Sequence, residues 1–224
     1  MKLFRSTIFA IATIAFGSLA IAQNSGSVKP DFDDSAILER LRSGGLVLLF
    51  RHGATGPNPD RPDAVTGRNT YEGTPEEQQA AYLDCERQRN LSDKGRADMR
   101  KIAKAIRQIG VLIGDVYASP MCRTRETAWI IAGEVTASDA LLSPDKNDRL
   151  QLASSIPVDG RNRVLVSHGH IVFSLVPNPL SVTERGYVPR GFAHVLEPLG
   201  DGDFNVLAEL GPDDWVRLAS LAQQ

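Results

Sequence analysis

Short apolar runs alternate with amphipathic stretches along most of the chain. Residues 35–45 (SAILERLRSGG) have helical spacing and end on Gly44-Gly45, a helix stop. The run that follows, GLVLLF at 45–50, is continuously apolar, as strands are in parallel sheets buried on both faces. Residues 91–110 (LSDKGRADMRKIAKAIRQIG) predict a surface helix: Ser92 is the N-cap, Met99, Ile102, Ala103, Ile106 and Ile109 form one face, and Gly110 ends it. GDVYASP at 114–120 predicts a strand and turn, 122–135 a helix, 145–156 a further helix, and RVLVSHGH at 163–170 a second apolar strand meeting a histidine. Residues 193–210 predict a hairpin around Gly-Asp-Gly, and 212–222 a closing helix with Pro212 near its start. Alternating strand and helix signals predict a single-domain three-layer α/β/α sandwich with a mostly parallel sheet.

Two regions break this rhythm. Residues 54–90 are rich in Pro, Gly, Asp, Asn and Gln, which predicts a long functional loop or insertion with a short helix near PEEQQAAYLDC. At the other break, Lys2 and Arg5 precede the apolar run Ile8–Phe16, and small residues end in Ala20-Ile21-Ala22. That is the pattern of a signal peptide over 1–22, cleaved between Ala22 and Gln23, followed by a polar leader over 23–33 and a domain over 34–224. An uncleaved anchor is the alternative, but the apolar run falls short of the ~20 residues a span needs. No stable membrane span is expected after processing, and no cysteine lies near the cleavage site to carry a lipid.

Composition narrows the classes further. The chain has 224 residues, is 42% hydrophobic and carries a net charge of −2, which losing Lys2 and Arg5 makes more acidic, so no nucleic-acid partner is expected. Export, periplasmic or secreted, puts its two cysteines, Cys85 and Cys122, in an oxidising compartment, where a disulfide between them is expected and two free buried thiols are the alternative. Zinc ligation lacks the spacing and the partner ligands.

Candidate chemistry gathers where predicted strands end, the place ligands occupy in open α/β sheets. Arg51-His52-Gly53, Ser119-Pro120 with Arg123, and His168-Gly169 all fall there. Two arginines and two histidines in one crevice suit a dianion, because guanidinium forks match phosphate oxygens. Adjacent guanidinium charge also keeps an imidazole neutral and nucleophilic.

LLFRHGATGPN, LSDKGR, ASPMCRTRETA and VLVSHGH, in that order over residues 46–170, resemble the histidine phosphatase superfamily, which includes the phosphoglycerate mutases. The resemblance implies that His52 becomes phosphorylated, that Arg51 and Arg123 clamp phosphate, and that His168 bonds the phosphate and stabilises the transferring group. It places Thr55 and Asn58 among the phosphate-pocket residues. The short segment between Arg123 and His168 looks more like the small phosphohistidine phosphatase branch than like the mutases. A glutamate motif of larger members is missing there; Asp145 and Asp148 match by location only, and Glu184 is another candidate acid. Arg125 and Arg149 are expected to be solvated or ion-paired, His170 a helix-start residue and His194 a core or edge residue.

The function expected is an exported, metal-independent phosphatase that needs no cofactor and acts on a small phosphorylated molecule or phosphorylated group. Two alternatives stand beside it: a phosphate-binding or adaptor protein without turnover, and a metal hydrolase using His168 and His170 as ligands. Because Cys122 adjoins Arg123, a Cys85–Cys122 bond would also preorganise the phosphate pocket.

Overall fold

The computed structural model describes residues 33–56, 74–176, 178–183 and 186–224. The expected signal peptide and its cleavage site, the expected leader apart from Asp33, and also Asn58 and Glu184 lie outside the described residues.

Four strands run parallel. They are β1 (Val47–Arg51), β2 (Ile113–Ala118), β3 (Thr136–Ala137) and β4 (Asn162–Ser167). A hairpin of β5 (Ala193–Gly200) and β6 (Asp203–Leu210) adds to β1 antiparallel, giving the order β3-β2-β4-β1-β5-β6. The sheet is therefore six-stranded, mixed and mostly parallel, as the alternating pattern predicts. The two-residue β3 has no counterpart in that reading, because a pair of residues carries no period.

Helices α1 (Asp34–Ser43), α3 (Asp93–Ile109), α4 (Cys122–Ala132) and α7 (Pro212–Leu221) cover one face; α5 (Lys146–Ser154) and α6 (Gly169–Leu175) cover the other, while α2 (Pro75–Leu83) lies in the 54–90 segment. The alternation of β1 decides which side chains go where. Leu48 and Phe50 enter the core with Trp215 of α7 and Met99 of α3, whereas Val47 and Leu49 enter the core with Val172 and Ala153. Every residue of β1 but its last is fully buried, which accounts for the unbroken apolar run.

The capping expected of α3 is present: Ser92 accepts from the Gly95 amide at 3.0 Å, and Gly110 ends the helix in the left-handed region. Gly95 has a second reason to be glycine. A Cβ there would lie 2.0 Å from the carbonyl oxygen of Ala54, so the helix reaches the loop after His52 only without a side chain. That oxygen also accepts from the Ser92 amide at 2.9 Å, and Thr55 pairs with Leu91. Thus the glycine of LSDKG fixes the loop leaving β1.

Candidate active site

Three neighbouring parallel strands, β2, β4 and β1, end side by side, and their last residues and the turns beyond hold the candidate groups. Arg51 closes β1 opposite Ser167 of β4, and the His52 amide donates to the Ser167 carbonyl at 3.0 Å. Past β2, the Ser119 amide donates to Val166 at 3.1 Å, and α4 then carries Arg123 in its first turn. His52 and His168 come together in a T-shaped arrangement, with ring centroids 5.5 Å apart. Both are 3% exposed, and Arg123 is 2% exposed.

Hydrogen bonds assign the protons. The Nδ1 of His52 lies 2.8 Å from the carbonyl oxygen of Gly53, which can only accept, so Nδ1 carries the hydrogen and Nε2 keeps its lone pair. His168 is held the opposite way. Its Nδ1 lies 3.3 Å from Nη2 of Arg123, which can only donate, so its Nε2–H donates to the Ser119 hydroxyl at 2.8 Å. Ser119 in turn bonds Thr124 at 2.8 Å, and Thr124 donates to the Met121 carbonyl at 2.6 Å. Thr127 donates to the Arg123 carbonyl at 2.8 Å and accepts from the Gly53 amide at 3.1 Å, which ties α4 to the loop after His52.

Arg51 reaches the carbonyl of Val188, and its own carbonyl, with that of His52, receives the Gly191 amide at 3.2 Å. Its side chain crosses Gly169 so closely that a Cβ there would lie 2.9 Å from Cζ and 3.0 Å from Nε. Gly169→Ala is therefore expected to push the guanidinium aside and lower kcat/KM at least about tenfold with little change in melting temperature, measured by aryl phosphate turnover and thermal unfolding.

Burial, then Arg123, holds the pKa of each histidine well below the ordinary imidazole value; Arg51 and Arg190 act on His52 as well. Burial, then the guanidinium groups of Arg190 and Arg89, lowers Arg51 to about 10, and burial, then Arg89, Arg190 and Arg51, lowers Arg123 to about 9. At pH 7 the arginines stay charged and the histidines neutral. An unfolded chain takes up protons on these histidines below about pH 6.5, while the fold does not, so stability falls as pH drops from 6.5 toward 5. Urea unfolding at pH 7.5 and 5 is expected to show that loss, with a slope of at most about 1.4 kcal/mol per pH unit for each histidine.

Several buried donors point to an anion. Nε of Arg51 and both Nε and Nη1 of Arg123 are buried without a hydrogen-bond partner, as is Oγ1 of Thr55. Cys85 and Cys122 form a disulfide, which joins the 54–90 segment to the first residue of α4. Beside it, Oε1 of the buried Gln88 accepts from the Cys122 amide at 2.9 Å, and its Nε2 donates to the Ala81 carbonyl at 3.2 Å. Gln88 thereby satisfies a helix-start donor that α4's own cap, Met121, leaves open.

Other expectations change. Of the two acid candidates matched by location, Asp145 caps α5 by accepting from the Asn147 amide at 2.9 Å, and both Asp145 and Asp148 are exposed. Arg149 is 6% exposed and, among the described residues, makes no ion pair; its Nη1 donates to the carbonyls of Ser143 and Asp145, closing the start of α5. His170 does begin a helix, and its ring also stacks on His168 with centroids 5.9 Å apart. His194 is a core residue, bonded to Glu209 at 3.0 Å, and Arg125 is half-buried on α4. Sequence reasoning missed Gln88, Arg89 and Arg190, which sit in stretches without periodicity.

Among solved structures, the chain is similar to SixA from Agrobacterium tumefaciens, at 17% identity over 75% of this chain and 99% of that one, with a TM-score of 0.48. A protein histidine phosphatase SixA complexed with tungstate is similar at 16% identity over 75% and 98%, with a TM-score of 0.48. A phosphoserine phosphatase variant from Entamoeba histolytica, in complex with phosphoserine, is similar at 14% identity over 75% and 98%, with a TM-score of 0.44. No curated protein matches the sequence. The profile of the histidine phosphatase superfamily, branch 1, matches residues 47–151, from the start of β1 through α4 and into α5. That match takes in the segment that holds Arg51, His52 and Arg123, which is therefore similar to the histidine phosphatase superfamily, branch 1.

Proposed function

We propose that this protein is an exported phosphatase that transfers a phosphoryl group from its substrate to Nε2 of His52 and then to water. The observation that carries the reading is the Nδ1–H bond from His52 to the Gly53 carbonyl, which leaves an Nε2 lone pair beside partner-less guanidinium donors. In the first step Nε2 attacks phosphorus, the bond from phosphorus to the leaving oxygen breaks, and the leaving group departs with that electron pair and takes up a proton. The ring is then an imidazolium, whose Nδ1–H keeps its bond to Gly53. Water next attacks phosphorus, the N–P bond returns its electrons to Nε2, and phosphate leaves.

Arg51 and Arg123 stabilise charge on the transferring oxygens. His168, with Nδ1 turned to Arg123 and Nε2–H tied to Ser119, accepts a proton at Nδ1 when an anion arrives and so donates to it. The phosphate-pocket role of Thr55 rests on its buried, partner-less hydroxyl, and that of Asn58 on the resemblance alone. The disulfide supports export, since such bonds persist in oxidising compartments.

Rapid quenching of the protein with excess labelled aryl phosphate, in EDTA, tests the mechanism. The expected result is close to one acid-labile, alkali-stable phosphoryl group per chain, on His52 and absent from His52→Ala. Turnover in EDTA without such an intermediate overturns it.

A further inference from the structure

Glu209 is a carboxylate that the mechanism above does not use and that the fold nonetheless buries: it is 8% exposed, on the outermost strand β6. Taking a carboxylate out of water is costly unless donors surround it, and three do. Its Oε1 accepts from the Ser181 amide at 2.9 Å, and its Oε2 accepts from the Leu180 amide at 3.0 Å and from Nε2 of His194 at 3.0 Å. His194 stands directly across from Glu209 in the β5–β6 pairing and is fully buried, with its Nδ1 left without a partner. The polar bond of the ring thus goes to the carboxylate and fixes its orientation.

Leu180 and Ser181 lie in the segment that leads from α6 back to β5. The large apolar side chains there, Leu180 and Val182, are exposed, so packing does not hold it. Among the described residues, no hydrogen bond other than the two from Glu209 reaches 178–182. Beyond them the segment closes on itself: the Thr183 amide donates to the Tyr187 carbonyl at 2.7 Å, and Oγ1 of Thr183 accepts from the Tyr187 amide at 3.3 Å. Val188 follows, fully buried, and its carbonyl takes the Arg51 guanidinium. The path from Glu209 through Ser181, Thr183, Tyr187 and Val188 to Arg51 is therefore unbroken, each step a hydrogen bond or a few bonds of backbone.

We propose that Glu209, steadied by His194, is a positioning residue for anion binding: by gripping the Leu180 and Ser181 amides it holds the segment whose Val188 carbonyl sets the Arg51 guanidinium. This rests on the reading of Arg51 as a phosphate clamp, and it makes the site depend on the outermost strand of the sheet, two strands from β1.

A double-mutant cycle tests it, read as calorimetric binding of tungstate, a tetrahedral oxodianion, to the disulfide-bonded protein. Arg51→Ala and Glu209→Ala are each expected to weaken binding about tenfold, and Glu209→Ala to add less than twofold once Arg51 is already alanine. Each variant is measured at a temperature where its thermal melt shows it folded. A role in stability alone would lower the melting temperature and leave tungstate binding by the folded protein unmoved. Binding within twofold of the wild type in Glu209→Ala, or a tenfold loss that persists without Arg51, overturns the proposal while leaving the clamp in place. Unchanged binding in Arg51→Ala removes the clamp reading itself, and the proposal with it. If Glu209→Ala does not fold, Glu209→Gln takes its place in the cycle: a carboxamide offers one acceptor oxygen instead of two, so one amide loses its partner. The loss expected is then about threefold, again vanishing in Arg51→Ala, and a loss that remains there overturns the proposal.

Discussion

His52→Ala is expected to lose at least about a thousandfold in kcat/KM toward an aryl phosphate, while the wild type keeps its activity in EDTA. The size follows from what the substitution removes. Without Nε2 there is no covalent step, and water must attack phosphorus in a pocket that still clamps the anion through Arg51 and Arg123. The loss should therefore lie in kcat more than in phosphate affinity. His52 is also expected to leave no acid limb between pH 6 and 7 in the kcat/KM profile, because burial and Arg123 hold its pKa well below that range. A wild-type rate that dies in EDTA would favour a metal hydrolase; no rate at all would favour a phosphate-binding protein.

Replacing both Cys85 and Cys122 with serine is expected to lower stability by roughly 3–4 kcal/mol, the chain-entropy value for a bridge between residues 37 apart. Urea unfolding of the two forms measures it. The same variant is expected to lose about tenfold in kcat/KM at a temperature where it remains folded, because a misplacement of about 1 Å in a clamping group has effects of that order or more. The path is short: Cys122 precedes Arg123, and its amide depends on Gln88, three residues beyond Cys85. Full activity in the folded, reduced protein would show that the bond acts on global stability alone.

The parts of this fold that were legible in the sequence are those where one force dominates. The run at 45–50 could only be a buried strand, and the caps of α3 are local chemistry at Ser92 and Gly110. The site was legible where strands end in Arg51-His52 and His168, since a charged group at the end of an apolar run needs a reason beyond the core. Arg123 needed the resemblance as well. Gln88 was not legible, because its partners, Ala81 and Cys122, are set by tertiary packing. Nor was the burial of Arg149, whose Nη1 donates to backbone carbonyls rather than to a carboxylate that a sequence can show. Nor was the local task of Asp145, which caps its own helix.

The strand order has a consequence for how the molecule comes into being. β1 emerges early, yet its hydrogen-bonding neighbours are β4 and β5, both more than a hundred residues further along the chain. Until those strands exist, Val47–Phe50 is an apolar segment with two open edges, and the backbone at Arg51 and His52 lacks its partners Phe192 and Ser167. Pairings of such sequence separation are slow to form and leave apolar edges open to association in the meantime. The histidine pair is accordingly among the last features to be assembled, and a chain cut short before β4 retains the RHG segment with no sheet to hold it.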